Sequence, residues 1–178
     1  MRYLKQKINY GLHYQCTNSV LECYSDANWA SDKTNSKSTS GWLFTIGGAI
    51  VAWSSKKQSC VALSSMESEF IAMSLASKDI IWIRNFMRCI PFINMPKAPI
   101  TLYCDNQAAI HNTKNKRISS NSKHIAMRYN HIRRLVKKGK VALEYLPTDQ
   151  MRADPLTKPL SGEKINKTMR DMGLLPIN

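Results

Sequence analysis

The order of hydrophobic patterns along the chain restricts its fold more than any other feature. Residues 21–26 alternate between apolar and polar side chains, which is typical of a half-buried strand. Residues 41–46 and 49–53 also have strand-like composition. Gly47 and Gly48 between them suit a two-residue hairpin turn, because glycine readily adopts the positive φ that such turns require. The domain is therefore predicted to open with three antiparallel strands.

A long amphipathic helix is predicted next, over residues 63–87, because its apolar side chains recur at three- and four-residue steps. The remaining patterns predict, in order, a strand over 100–105, a helix over 106–114, a helix over 123–138, a strand over 140–146, a short turn or helix over 148–157 and a tail over 159–178. Residues 1–12 are predicted to form a short helix. This order predicts an α/β fold with a five-stranded mixed sheet, three strands antiparallel and then two parallel, flanked by helices.

Composition excludes several classes of protein. Hydrophobic residues make up 43% of the 178, which is enough for a packed core. Apolar runs are all shorter than the roughly 20 residues of a membrane span, and the first residues lack the apolar region of a secretory signal. The five cysteines include no C-x-x-C pair, so neither a disulfide framework nor a zinc site is expected. We expect a protein that is neither secreted nor bound to membranes.

Positive charge is concentrated in one segment. The chain has 26 Lys and Arg against 12 Asp and Glu, a formal net charge of +14, and no acidic residue lies between Asp105 and Glu144. An uninterrupted basic segment predicts a surface that binds nucleic-acid phosphates, and a merely solvated helix face is the alternative. The predicted phosphate-binding residues are Lys123, Arg128, Arg133, Arg134, Lys137 and Lys138.

Four acidic residues are candidates for a metal site. Asp26 and Asp105 each end a predicted strand, and parallel neighbouring strands would bring both carboxylates to the same sheet edge. On the long helix, Glu69 falls roughly 25° from the centre of the apolar stripe and Glu67 roughly 135° away, so Glu69 is predicted to face the sheet. Asp154 follows the last strand. Each acid alone also fits a turn, cap or ion-pair role, but together they suit Mg²⁺ ions.

Several sequence blocks resemble the ribonuclease H region of copia-type LTR retrotransposon Pol polyproteins. The blocks are YSDANWASD at 24–32, KSTSG at 37–41, WSSKKQ at 53–58, VALS at 61–64, ESEFIA at 67–72, YCDNQ at 103–107, KHI at 123–125 and ADPLTK at 153–158. The resemblance implies a ribonuclease H-like fold. It also implies a catalytic site that binds two Mg²⁺ or Mn²⁺ ions through Asp26, Glu69, Asp105 and Asp154.

The resemblance further implies endonucleolytic hydrolysis of the RNA strand of RNA–DNA hybrids during retrotransposon reverse transcription. It implies a remnant of the upstream reverse-transcriptase region over 1–20, a ribonuclease H-like domain over 21–158 and a C-terminal tail over 159–178. The implied partners are the hybrid and the reverse-transcriptase and integrase parts of the same polyprotein. The implied location is a cytoplasmic virus-like particle or the nucleus.

One departure from the wider superfamily leaves alternatives open. Cellular relatives carry a histidine in a loop before the last aspartate, whereas residues 146–154 contain none. Proton transfer to the leaving group must then come from elsewhere or be weaker, and His124 lies on a different element. The first alternative function is a catalytically weak or inactive nucleic-acid-binding remnant. The second is an integrase-type polynucleotidyl transferase, which the blocks at 103–107 and 153–158 disfavour.

Overall fold

The computed structural model describes residues 5, 7–15, 20–91, 98–115 and 123–177, except for the side chains of 123–125. Its strands are β1 (Tyr10–Leu12), β2 (Glu22–Asn28), β3 (Thr39–Ile46), β4 (Ala49–Lys57), β5 (Ile100–Cys104), β6 (Val141–Tyr145) and β7 (Leu174–Pro176). Its helices are α1 (Ser65–Arg88), α2 (Gln107–Lys114), α3 (Lys123–Lys137) and α4 (Gly162–Asp171), and short 3₁₀ turns span Thr148–Gln150 and Asp154–Leu156. Within these described ranges, no helix has both the length and the hydropathy of a membrane span.

The main sheet has five strands in the order β4-β3-β2-β5-β6. Strands β2, β3 and β4 pair antiparallel, whereas β5 pairs parallel with both β2 and β6. The predicted mixed sheet is therefore confirmed. Gly47 and Gly48 link β3 to β4 with φ of 58° and 79°, as the predicted hairpin turn requires. Both hairpin strands are longer than predicted, because their polar ends also pair, with Thr39 opposite Lys57.

Helix α1 covers one face of this sheet. It begins after Ser64, whose side chain accepts a hydrogen bond from the backbone N–H of Glu67. Phe70, Met73 and Ile80 point from its apolar stripe into the main core and are fully buried. Helix α3 packs beside it, and the rings of Phe70 and Tyr129 stack with centroids 3.6 Å apart.

Both ends of the chain differ from the prediction. Residues 10–12, predicted as the end of a helix, form β1, which pairs antiparallel with β7. The segment 159–178, predicted as a tail, contains α4 and β7. It is attached to the main sheet, because the backbone N–H of Ile50 donates to the carbonyl of Met172 over 3.0 Å. Strands of three residues are too short to show a period, so their sequence gives no sign of this pairing. The division of the chain at residues 20 and 158 stays a prediction.

Candidate active site

Two of the predicted acids lie on the central strands. Asp26 is in β2, and Asp105 directly follows β5. The two strands run parallel, with Tyr24 opposite Tyr103, so both acids reach the carboxyl edge of the sheet. Asp26 is buried and Asp105 is half-buried. The hydroxyl of Thr148 donates to Asp105 Oδ2 over 2.7 Å and fixes that carboxylate.

Glu69 reaches the same edge from α1. It is 6% exposed, and its Oε1 accepts a hydrogen bond of 3.0 Å from the backbone N–H of Ala27, the residue after Asp26. Glu67 instead accepts from the backbone N–H of Leu63 at the start of the helix. The prediction that Glu69 faces the sheet is therefore confirmed. The backbone of β2, the strand that carries Asp26, therefore holds the Glu69 carboxylate beside that acid.

Asp154 approaches the group from the turn after β6, and lysines connect it to the group. It is fully buried, and the Lys158 ammonium lies 2.9 Å from its Oδ1 and 3.7 Å from Asp26 Oδ1. A second ammonium, from Lys164 on α4, lies 2.5 Å from Asp154 Oδ2. The hydroxyl of Thr157 donates to Asp26 Oδ2. The last predicted acid is therefore joined to the first through Lys158 and this turn.

The site has an excess of negative charge in a poorly hydrated setting. Burial raises the pKa of Asp26 to about 6, and the charges of Asp154 and Asp105 add to this, although Thr157 and Lys158 oppose it. Burial and the charges of Asp26 and Asp105 also raise the pKa of Glu69 well above its usual range. Carboxylates that resist ionisation together are stabilised by a cation placed among them.

The donor atoms fit a hard divalent cation. Ligand atoms of Glu69, Cys104 and Asp105 all lie within 4.8 Å of one another. Burial raises the pKa of the Cys104 thiol well above its usual range, so it stays protonated and leaves the two carboxylates as ligands. Asp26 Oδ1 is buried without a hydrogen-bond partner, 3.7 Å from the nearest ammonium. Oxygen-only ligands of this kind favour Mg²⁺ or Mn²⁺ over softer metals.

The predicted phosphate-binding residues do not share one surface. Arg134, Lys137 and Lys138 are exposed and line a groove of about 510 Å³ between α2 and α3, together with Lys114. Arg128 lies in a different cavity, beside His131. The side chains of Lys123 and His124, at the start of α3, lie outside the described residues.

Arg133 also lines the groove, but its guanidinium already donates hydrogen bonds to backbone carbonyls of this chain. It donates to the carbonyls of Asn112 at 2.8 Å and Thr113 at 2.9 Å, and also to that of Asn115. It also lies over the ring of Tyr129, 5.4 Å from the centroid. These carbonyls belong to the end of α2, so Arg133 caps that helix and joins it to α3.

Sequence reasoning missed the residues that position the acids. Thr148 and Thr157 hold Asp105 and Asp26, and Lys158 and Lys164 neutralise Asp154. One signal was present, because Lys158 lies four residues after Asp154, a spacing that allows an ion pair within one helical turn. Lys164 gave no signal, because the segment that carries it was predicted to be a tail.

Sequence comparison identifies relatives along nearly the whole chain, although no family model matches it. The chain is 34% identical over 174 residues to the retrovirus-related Pol polyprotein from transposon TNT 1-94 of Nicotiana tabacum. This alignment covers 98% of the chain and 13% of that protein. It is 37% identical over 162 residues to the Pol polyprotein from transposon RE1 of Arabidopsis thaliana, covering 90% of the chain and 11% of that protein. The chain is homologous to a segment of copia-type Pol polyproteins. It spans about an eighth of the length of these relatives.

Solved structures share the fold of this chain. LC11-RNase H1, isolated from compost by a metagenomic approach, has a TM-score of 0.58 at 15% identity and covers 85% of the chain and 99% of its own. RNase H1 from Halobacterium salinarum has a TM-score of 0.54 at 19% identity, with coverage of 83% and 98%. The foamy viral protease-reverse transcriptase has a TM-score of 0.55 at 15% identity, with coverage of 79% and 20%. The fold is therefore that of ribonuclease H.

Proposed function

We propose that this chain hydrolyses the RNA strand of RNA–DNA hybrids with two Mg²⁺ or Mn²⁺ ions. The observation that carries the proposal is the meeting of Asp26, Glu69, Asp105 and Asp154 at one edge of a ribonuclease H sheet. Proteins with the same fold add support, because LC11-RNase H1 and the foamy viral protease-reverse transcriptase have both been solved in complex with RNA/DNA hybrid.

The chain's own residues prepare the site for this chemistry. Glu69 and Asp105 would hold one divalent cation, and Asp26 would be a further carboxylate ligand at the site. Bound divalent cations would supply an activated water and stabilise the leaving oxygen. Thr157 and Thr148 orient Asp26 and Asp105, so these two carboxylates need little rearrangement. Lys158 keeps Asp154 beside Asp26 and can hold a negatively charged oxygen there.

Hybrid binding would use the groove between α2 and α3. Arg134, Lys137 and Lys138 are exposed there and would contact backbone phosphates, so binding would weaken with salt and show little sequence preference. Lys123 and Arg128 stay predicted phosphate contacts, whereas the bonds that Arg133 already makes favour a structural role. Within a polyprotein, the reverse-transcriptase and integrase parts would be its neighbours, in a cytoplasmic virus-like particle or in the nucleus.

The test is cleavage of a hybrid labelled on its RNA strand, with Mg²⁺ or Mn²⁺ and with an RNA–RNA duplex as the substrate control. We expect Asp26→Asn and Glu69→Gln each to lower the rate more than about 100-fold, because a lost metal ligand costs more than a lost outer-shell contact. Glu144→Gln, on the exposed part of β6, is the matched control and should cleave normally.

Two other outcomes would replace the proposal. Binding of hybrid without cleavage, in either metal, would favour the inactive remnant. Equal cleavage by the wild type and Asp26→Asn would show that the carboxylate site does not perform the reaction. A calorimetric titration of the chain with Mn²⁺ separates these cases from simple failure to bind metal.

A further inference from the structure

A second polar cavity lies between α1 and α3, turned away from the carboxylates. Ser74 follows Glu69 by five residues on α1, which places it about 140° around the helix and about 7.5 Å along it. The cavity has a volume of about 290 Å³ and is lined by Ser74, Lys78, Met127, Arg128 and His131. It is large enough for a small polyatomic ligand rather than a single water molecule.

Three of the residues that line this cavity each have a buried side-chain atom without a hydrogen-bond partner. These atoms are Ser74 Oγ, Arg128 Nη1 and His131 Nε2, and Ser74 is fully buried. Outside the carboxylates, five buried side-chain atoms of the described residues lack a hydrogen-bond partner, and three of the five belong to residues of this one small cavity. Buried polar groups nearly always form hydrogen bonds, and a buried group without one destabilises the folded state. A ligand that bonds to all three would remove this cost.

The charges around the cavity specify the sign of that ligand. Lys78 and Arg128 are cationic, and the lining residues include no acid. Burial lowers the pKa of His131, and the charges of Arg134 and Lys78 lower it further, which shows that the ring lies in a positive field. Arginine, lysine and a hydroxyl are the groups that bind phosphate oxygens through charge-assisted hydrogen bonds.

We propose that the cavity between α1 and α3 is an oxyanion site that binds a phosphate group through Ser74, Arg128, His131 and Lys78. The phosphate belongs either to a nucleic-acid backbone or to a free phosphate or nucleotide. The site is separate from the carboxylates and does not depend on the proposed cleavage reaction. It gives Arg128 a role different from that of the exposed bases on the neighbouring groove.

The direct test is a titration of the full chain with inorganic phosphate, followed by the ring signals of the four histidines in NMR spectra. We expect the ring signals of His131 to change their chemical shifts with added phosphate until the site is saturated. Arg128→Gln should weaken the binding at least about tenfold, because it removes a charged donor. Arg88→Gln, in the exposed last turn of α1 and outside the lining of either cavity, is the matched control and should bind as the wild type does. Ser74→Ala removes only the hydroxyl and serves if Arg128→Gln does not fold.

Two results would overturn the proposal. One is the absence of a saturable His131 shift in the wild type, which needs no variant to fold. The other is an equal effect of Arg128→Gln and Arg88→Gln, which would show a diffuse attraction of anions to the basic surface. Neither result depends on nuclease activity, so the proposed function stands or falls separately.

Hybrid binding distinguishes the sources of the phosphate. The affinity is measured against salt concentration without divalent metal, so that no cleavage occurs. If the phosphate is part of the nucleic-acid backbone, Arg128→Gln should reduce the slope of log K against log salt by about one. If the slope is unchanged while inorganic phosphate still binds, the site takes a free phosphate or nucleotide.

Discussion

The substitution Gly41→Ala tests how closely β3 is packed against the turn that carries Asp154. Gly41 lies opposite Asp26 in the sheet register. A Cβ at this position would lie 2.7 Å from Leu156 Cβ and 2.7 Å from Thr157 Cγ2. Carbon atoms normally approach to about 3.5–4.0 Å, so the turn would have to move by about 1 Å.

Both stability and activity should suffer from this movement. Overpacking of this kind costs about 1–3 kcal/mol of unfolding free energy, and each kcal/mol lowers Tm by about 2–4 °C in a protein of this size. Thr157 is the donor to Asp26, and Asp154 lies in the same turn, so the site is displaced together with the packing. A misplacement of about 1 Å can lower the rate of hybrid cleavage by about 100-fold.

The measurements are urea unfolding and the rate of hybrid cleavage at saturating Mg²⁺. Gly162→Ala is the matched control, because a Cβ there meets nothing within 4 Å, and it should lower neither quantity. Wild-type stability in Gly41→Ala would refute the packing argument. A loss of stability with an unchanged rate would instead refute the link between this turn and the site.

Two further predictions concern the charges of the site. In metal-free protein, the pKa of Asp26 is raised from an ordinary 3.8 to about 6 in the folded state, so the folded chain keeps a proton that the unfolded chain releases. The stability of the wild type should therefore fall relative to that of Asp26→Asn as the pH rises from about 4 to 7. Urea unfolding midpoints measured across that range test this, and parallel pH dependences of the two proteins would contradict it. Lys164→Met removes one cation from buried Asp154 and should cost about 1–3 kcal/mol, whereas Lys164→Arg should cost less; equal melting temperatures for both would contradict this pairing.

The acids on regular elements were predictable because local periodicity and parallel pairing determine where they point. The 3.6-residue helical period places Glu69 towards the sheet and Glu67 away from it. Their hydrogen bonds agree with this, because Glu69 accepts from the backbone of β2 and Glu67 from the backbone just before its own helix. Asp26 was predicted to end its strand, but β2 continues to Asn28 because it still pairs with β3 there. Asp26 nevertheless lies just beyond the last pair that β2 forms with parallel β5, and Asp105 directly follows β5, so the sheet edge brings the two acids together. These inferences require no knowledge of loops.

The remaining parts of the site depend on contacts between distant segments. Lys164 reaches Asp154 only because α4 lies against the turn, and α4 is followed by β7, whose partner β1 is near the other end of the chain. Arg133 and Arg134 both lie in the basic segment and were both predicted to bind phosphate, yet the guanidinium of Arg133 donates hydrogen bonds to three backbone carbonyls at the end of α2. Sequence periodicity records neither relation, because both partners are identified only by tertiary packing.

The distribution of lysines argues that the carboxylates are not equivalent. Asp154 has two ammonium groups within 3 Å, whereas the shortest ammonium contact of Asp26 is 3.7 Å. Glu69 and Asp105 have no ion pair among the described residues. The uncompensated charge therefore lies on the Glu69–Asp105 side, where we expect a first divalent cation to bind more tightly than a second cation beside Asp154. Two unequal affinities for Mn²⁺, with the weaker one strengthened by Lys164→Met, would follow from this asymmetry, and two equal affinities would contradict it.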